Sequence, residues 1–417
     1  MSSVTRRAGR IKSAGLTTAG LSAALLIAAC SSSASSASSP ASAAGPSAPA
    51  SSNAGTPSLK VTDITPSFSA LKALAPLAAK GKGKVAIIMP DTTSSSRWTD
   101  FDAPYLKAAF TAAGLPSTAF TIQNANGSDA AQVSMAQSAI AQGATVLVIT
   151  PLDSGTGAHI EGIAKTAGVT VIDYDRLTLG GTRGYYVSFN NVKVGTVMGQ
   201  GLVSCITNWG VPDPNVIVMS GAPTDNNATL FAQGYDGVLA PFFTSRKYTD
   251  ISNPPGSWDA QVSLGEFTNQ YTAHKTINAA LTPNDSNAAT IIHYLQSQGI
   301  KPRTFPTTGQ DASLAGLQNI LAGYQCGTVY KPIYYEAGAT AALAMYLRAG
   351  LNPPASLVNG FVEDTASKVR VPSVLANPVW VTTANMQATV IKDDFVSVAA
   401  LCAGQYAADC KTAGISG

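Results

Sequence analysis

The chain runs to 417 residues, 45% hydrophobic and 12% charged, with a formal net charge of +3. Arg6, Arg7, Arg10 and Lys12 crowd its start, and without these four the balance falls to −1, which leaves no basic stripe for nucleic acid. Beyond residue 30 no apolar run approaches the ~20 residues of a transmembrane helix, and the length from residue 60 onward suffices for two lobes with cores of their own.

The four cations precede an apolar, small-residue stretch from Gly15 to Ala29, the layout of a secretory signal peptide, expected over residues 1–29. It ends Leu26-Ile27-Ala28-Ala29-Cys30, which resembles a bacterial lipobox. Cys30 is therefore expected to carry lipid and to hold the mature protein on the extracytoplasmic face of the cell membrane. Residues 30–59 are almost only Ser, Ala, Pro, Gly and Thr, without a charge, a composition that buries too little apolar surface to fold and reads as a tether.

From Lys82 strands and helices alternate. The apolar run 85–89 reads as a strand buried on both faces, followed by a helix over 103–113 and a strand over 118–122. Asp129 is placed as the cap of a helix in which Ala130, Val133, Ala136 and Ile140 recur at helical spacing before Gly143. Strands are expected at 145–149, 169–172 and 185–189. A second run of the same kind has helices over 195–209, 228–239, 262–281 and 288–298, a strand at 216–219, and strand-like runs near Thr307 and 328–330. The pattern predicts an α/β protein with two doubly wound parallel-sheet lobes.

In such sheets ligands bind beyond the carboxyl ends of the strands. Polar groups collect at those ends: Arg97, Asp175, Arg176, Asp225, Asn227, Asn284, Asp311 and Lys331, together with Trp98 and Trp258. Planar Asp, Asn and Arg groups suit the neighbouring hydroxyls of a sugar rim, and an indole suits its flat C–H face. Each feature alone has a plainer reading. Asp175-Arg176 could be a turn with a surface ion pair, Asp225-Asn226-Asn227 a helix cap, and a lone tryptophan core, the reading given to Trp209 and Trp380. Their joint placement is what points to a monosaccharide.

In an oxidising compartment Cys402 and Cys410, with Gly404 between them, are expected to form a local disulfide, while Cys205 and Cys326 are either a second bridge or two buried thiols. His159, His274 and His293 are scattered without cysteine neighbours, so neither a metal nor a cofactor is expected.

Six ordered motifs carry a resemblance: Met89-Pro90 with Arg97-Trp98, Tyr174-Asp175-Arg176-Leu177, the stretch from Tyr186 to Asn191, that from Ser220 to Asn227, Thr308-Gly309-Gln310-Asp311-Ala312, and Thr328-Val329-Tyr330-Lys331-Pro332. From Lys82 to about Met386 the chain resembles the bacterial D-xylose-binding and multiple-monosaccharide-binding proteins of ABC importers, within the type I periplasmic binding protein family. The resemblance implies two lobes joined by a three-segment hinge, with crossings near Asn190, Asp311 and Lys331. It divides the chain into a first lobe of 82–189 plus 311–329 and a second of 190–310 plus 330–417. It puts Arg97, Trp98, Asp175 and Arg176 on the sugar from the first lobe, and Asp225, Asn227, Trp258, Asn284, Asp311 and Lys331 from the second lobe and hinge. It further implies a monomer that delivers its ligand to an importer permease. The loop 91–96 departs from some relatives in lacking their lysine.

Three other readings compete. A glycosidase is disfavoured, because the acids are interleaved with Arg, Lys and Asn that hold them ionised, and nothing raises one as a proton donor. A repressor is disfavoured by the signal-like leader where a DNA-binding helix pair would stand. A sensor that presents loaded sugar to a membrane receptor is the alternative to transport.

Overall fold

The computed structural model describes residues 57–416; the leader, Cys30 and the tether up to residue 56 lie outside the described residues. After short turns, α1 (Ala75–Lys80) leads into an alternation of β1 (Lys84–Met89), α2 (Ala103–Ala112), β2 (Phe120–Asn124), α3 (Asp129–Ala141), β3 (Ala144–Ile149), α4 (Ser154–Thr166), β4 (Thr170–Tyr174) and β5 (Tyr185–Phe189). A second alternation holds α5 (Asn191–Asn208), β6 (Asn215–Val218), α6 (Asn226–Thr244), β7 (Thr249–Ser252), α7 (Ala260–Ala273), β8 (Ala279–Leu281), α8 (Asp285–Ser297), α9 (Leu314–Leu321) and β9 (Thr328–Tyr330). The chain closes with α10 (Ile333–Arg348), β10 (Gly360–Glu363), β11 (Arg370–Ala376), β12 (Val379–Val381), α11 (Val398–Leu401) and α12 (Ala407–Thr412).

The first lobe is built on a seven-stranded sheet of order β10-β11-β5-β4-β3-β1-β2, parallel except where β10 meets β11. Successive side chains of a strand point to opposite faces, and both faces here are apolar. Val85 and Ile87 of β1, with Val146 and Val148 of β3, face a core shared with α2 and α10. Ala86 and Ile88, with Leu147 and Ile149, face α3 and α4. The second sheet repeats the device in the order β7-β6-β8, with Val216 and Val218 on one side and Ile217 and Met219 on the other. Isolated bridges from Ala280 to Thr307 and from Gln310 to Val329 extend it to β9, which pairs with β12.

These pairings redraw the expected lobes. Residues 311–329 belong with the second sheet, because β9 joins it through Gln310 and α9 packs on α8. Residues 333–376 belong with the first, because α10 packs under β1, β3, β4 and β5, and β11 pairs with β5. The chain thus crosses between lobes at Asn190, at Lys331–Pro332 and between Ala376 and Val379; Asp311 is not a crossing, since the chain on both its sides lies in the second lobe. Asn190 N–H donates to Ala376 C=O at 2.9 Å, which fastens two of the crossings side by side.

Local differences have local causes. The expected helix over 262–281 ends at Ala273, and its last residues form β8, where Ala279, Ala280 and Leu281 are all buried between neighbouring strands. The expected 118–122 strand starts two residues later, after a turn at Ser117–Ala119. Ser128, not Asp129, caps α3, its hydroxyl accepting from Ala131 N–H at 3.2 Å. Residues 59–80, which the sequence reading left outside the lobes, bury Ile64, Phe68, Leu71, Leu74 and Leu77 against α10 and α2, so α10 is covered on every side and can be alanine-rich and apolar all round. Both cysteine pairs are disulfides, Cys402–Cys410 within the C-terminal segment and Cys205–Cys326 between α5 and the loop before β9.

Candidate ligand-binding site

Between the carboxyl ends of the two sheets lies a cleft with about 290 Å³ of empty space, open solvent included, and all ten expected residues line it: Arg97, Trp98, Asp175, Arg176, Asp225, Asn227, Trp258, Asn284, Asp311 and Lys331. Each stands where a strand ends and the chain turns. After β1, Asp91 folds its own loop by accepting from Thr93 N–H (2.8 Å), Ser94 N–H (2.6 Å) and the Ser94 hydroxyl (2.8 Å). That hydroxyl in turn accepts from the Trp98 indole N–H at 2.9 Å and fixes the ring in the cleft wall. After β4, Asp175 takes up a left-handed backbone (φ 62°), a conformation short polar residues tolerate. Its carbonyl is held there by the Tyr186 and Ser188 hydroxyls at 2.9 and 2.7 Å. Asp225 and Asn284 cap α6 and α8, accepting from Asn227 N–H (2.9 Å) and Asn287 N–H (2.8 Å), so the cap reading of Asp225 and its place in the cleft are both correct.

The lobes are stitched across the cleft by polar contacts. Arg176 Nε pairs with Asp225 Oδ2 at 3.1 Å, and the same oxygen accepts from the Trp258 indole N–H at 2.9 Å. Asn284 donates to Ser94 C=O at 2.9 Å, Ser95 donates to Asp311 Oδ2 at 2.7 Å, and Asn227 donates to Asp175 C=O at 2.9 Å. Lys331, at the second crossing, lies 3.2 Å from Asp311 and 3.5 Å from Asp175.

Arg97 departs from the expected picture of a side chain given over to ligand. Its guanidinium is 1% exposed and already binds Asp102 in a fork at 2.6 and 2.7 Å, Glu336 at 2.7 Å, and Asp175. It also lies over the Trp98 ring, 4.5 Å from its centre, with Arg176 at 5.4 Å. Arg97 therefore acts mainly as the cation that steadies Asp175. Burial alone would raise the Asp175 carboxyl, but the charges of Arg97, Lys331 and Arg176 outweigh it and hold it down to about 2. Asp225 is instead pushed above the ordinary carboxylate value by burial, which the charge of Arg176 offsets only in part.

Four further lining residues were missed: Ser94, Ser95, Phe231 and Gln310. Phe231 meets Trp258 edge to face at 6.3 Å and shapes an apolar wall. Gln310 is buried with its carbonyl oxygen accepting from no group among the described residues. Asp102 and Glu336, behind Arg97, were missed as well. The signals were present but slight: an acid five residues after Arg97, and one glutamate opening an otherwise apolar alanine-rich run.

Two doubly wound lobes, three crossings and a polar cleft with indole walls at the strand ends define a bilobal binding protein. Residues 85–352 match the periplasmic binding protein domain, and the chain belongs to that family, with the type I fold. It is 36% identical over 277 residues to the D-xylose-binding periplasmic protein of Escherichia coli, which covers 66% of this chain and 80% of that protein. It is 31% identical over 339 residues to a multiple sugar-binding periplasmic protein of Azospirillum brasilense, covering 78% and 92%. Among solved structures it resembles a carbohydrate transporter solute-binding protein of Chloroflexus aurantiacus in complex with D-glucose, with a TM-score of 0.66, 26% identity, and coverage of 76% of this chain and 97% of that one.

Proposed function

We propose that the protein binds a monosaccharide, D-xylose or a similar aldopyranose, in the interlobe cleft and delivers it as a monomer to the permease of an ABC importer. The observation that carries this reading is the convergence of ten polar and aromatic residues from both lobes on one cleft. Asp225, Asn284 and Lys331 meet the rim hydroxyls, Trp98 and Trp258 supply the walls, and Arg176 with Asp225 grips from opposite lobes. Relatives whose names state xylose or multiple sugars support the ligand class. Cys30 is the lipid-bearing residue in this reading and keeps the protein at the outer face of the cell membrane.

A thermal-shift screen over pentoses and hexoses tests it, because a ligand bound only by the folded state raises the melting temperature. The expected outcome is a concentration-dependent rise with xylose or a close aldopyranose. A flat response across the panel would remove the monosaccharide reading.

A further inference from the structure

A second groove, which shares no lining residue with the cleft, lies on the second lobe among the C-terminal half of α5, the loop before β9 and the chain leaving β12. It encloses about 750 Å³ out to open solvent. The Cys205–Cys326 disulfide lies in its wall and joins two of these elements covalently. Trp209 and Trp380 both line it and are half-buried; Trp380 packs against the core cluster of the second lobe, while Trp209 departs from the expected core position. Trp380 is held by packing against Gly201 and Gly327, where a β-carbon on either residue would overlap the ring. Trp209 ends α5 and joins none of the apolar clusters among the described residues.

Some polar groups around these rings have no partner among the described residues, although Asn208 bonds to Ser204 and the Thr382 hydroxyl accepts from Ala384 N–H. Neither indole N–H has a hydrogen-bond partner among the described residues, although those of Trp98 and Trp258 do. Gln325 is 1% exposed; its amide nitrogen donates to Asp285 and Gly327, while its carbonyl oxygen, buried, accepts from no protein group. Arg303 is exposed, held in a left-handed backbone (φ 60°) by its N–H bond to Gly323 C=O at 2.8 Å, and lies in no ion pair among the described residues. A buried amide acceptor, two free indole donors and an unpaired guanidinium around aromatic surface repeat the chemistry that suits a sugar. Here it lines a larger space than the cleft, about 750 against 290 Å³ with open solvent included in both.

We propose that this groove is a second carbohydrate site, which takes a short oligosaccharide. The indoles supply faces for successive rings, Gln325 and Thr383 meet rim hydroxyls, and Arg303 meets either vicinal hydroxyls or the carboxylate of an acidic sugar. The proposal goes beyond the monosaccharide reading of the cleft and does not depend on it.

The test is calorimetric titration of the full mature protein with xylotetraose, cellotetraose and a xylotetraose bearing one glucuronic acid. The expected result is binding of at least one of them that persists in the cleft variant Asp225→Ala and weakens about tenfold in Trp209→Ala and in Arg303→Ala. Those two variants should keep the xylose response of the parent. Loss on Arg303→Ala of the acidic ligand alone identifies the carboxylate as its partner, and equal loss for neutral ligands identifies hydroxyls. The proposal is overturned by the absence of any tetrasaccharide binding, or by binding that disappears in Asp225→Ala and survives in Trp209→Ala.

Discussion

Arg176 and Asp225 contact each other directly and come from opposite lobes, so each is a latch and, in the proposed function, a ligand partner as well. A charge-assisted hydrogen bond is worth roughly 1.5–3 kcal/mol, which sets the expected loss of sugar affinity in Arg176→Ala at about ten- to a hundredfold, measured by calorimetry. Arg176→Lys should not restore it, because an ammonium lacks the planar fork that meets two oxygens at once. Asp285 carries a different consequence. It is buried, accepts from Gln325 (2.8 Å), Thr328 (2.9 Å) and Ser313 N–H (2.8 Å), and has Asp311 nearby. Burial is the main cause that lifts its carboxyl from 3.8 to about 7, and the charge of Asp311 adds to it. The folded state therefore keeps a proton that the unfolded chain releases near pH 4. Its stabilising contribution is complete below 3.8 and lost as pH rises through about 7. Asp285→Asn should flatten the fall in melting temperature between pH 5 and pH 8, and a slope equal to that of the parent would assign the pH dependence to other groups.

At the level of elements, what was legible followed from periodicity. β1, β3 and β4 stood out as unbroken apolar runs because both faces of a parallel strand are covered. β8 has three residues at the end of a helical pattern, and β10 and β11 form an antiparallel edge with exposed Phe361, so neither gives the signal of a buried parallel strand. The ten cleft residues were legible because each follows a strand. Ser94, Ser95 and Gln310 were not, since nothing local separates a serine or glutamine that faces a cleft from one that faces water. The lobe assignment beyond residue 310 failed because it depends on which sheet a strand joins, and that is a long-range fact. The two disulfides differ in reach: in the chain-closure picture a link across 121 residues stabilises by ~5 kcal/mol and one across 8 residues by ~2.5 kcal/mol. Replacing Cys205 and Cys326 by serine should therefore lower the urea-unfolding free energy more than replacing Cys402 and Cys410. The reverse order would place the constraint in the C-terminal segment.

For the molecule as a whole, three crossings and direct interlobe bonds describe a closed form that ligand stabilises by touching both sides. Ser95, Asn227 and Asn284 bond across the cleft as well. Arg176→Ala and Asp225→Ala should each reduce the ligand-induced compaction seen by small-angle scattering at matched saturation, and compaction equal to that of the parent in both would locate the closing force elsewhere. Residues 59–80, finally, wrap one side only: Ile64, Phe68 and Leu71 sit against α10, and the Tyr346 hydroxyl of α10 donates to the Pro57 carbonyl. Residues 59–80 are thus part of the core of the first lobe. Any opening of the cleft would therefore carry α6, α8 and the outer groove away from a first lobe that holds this segment as part of its own core.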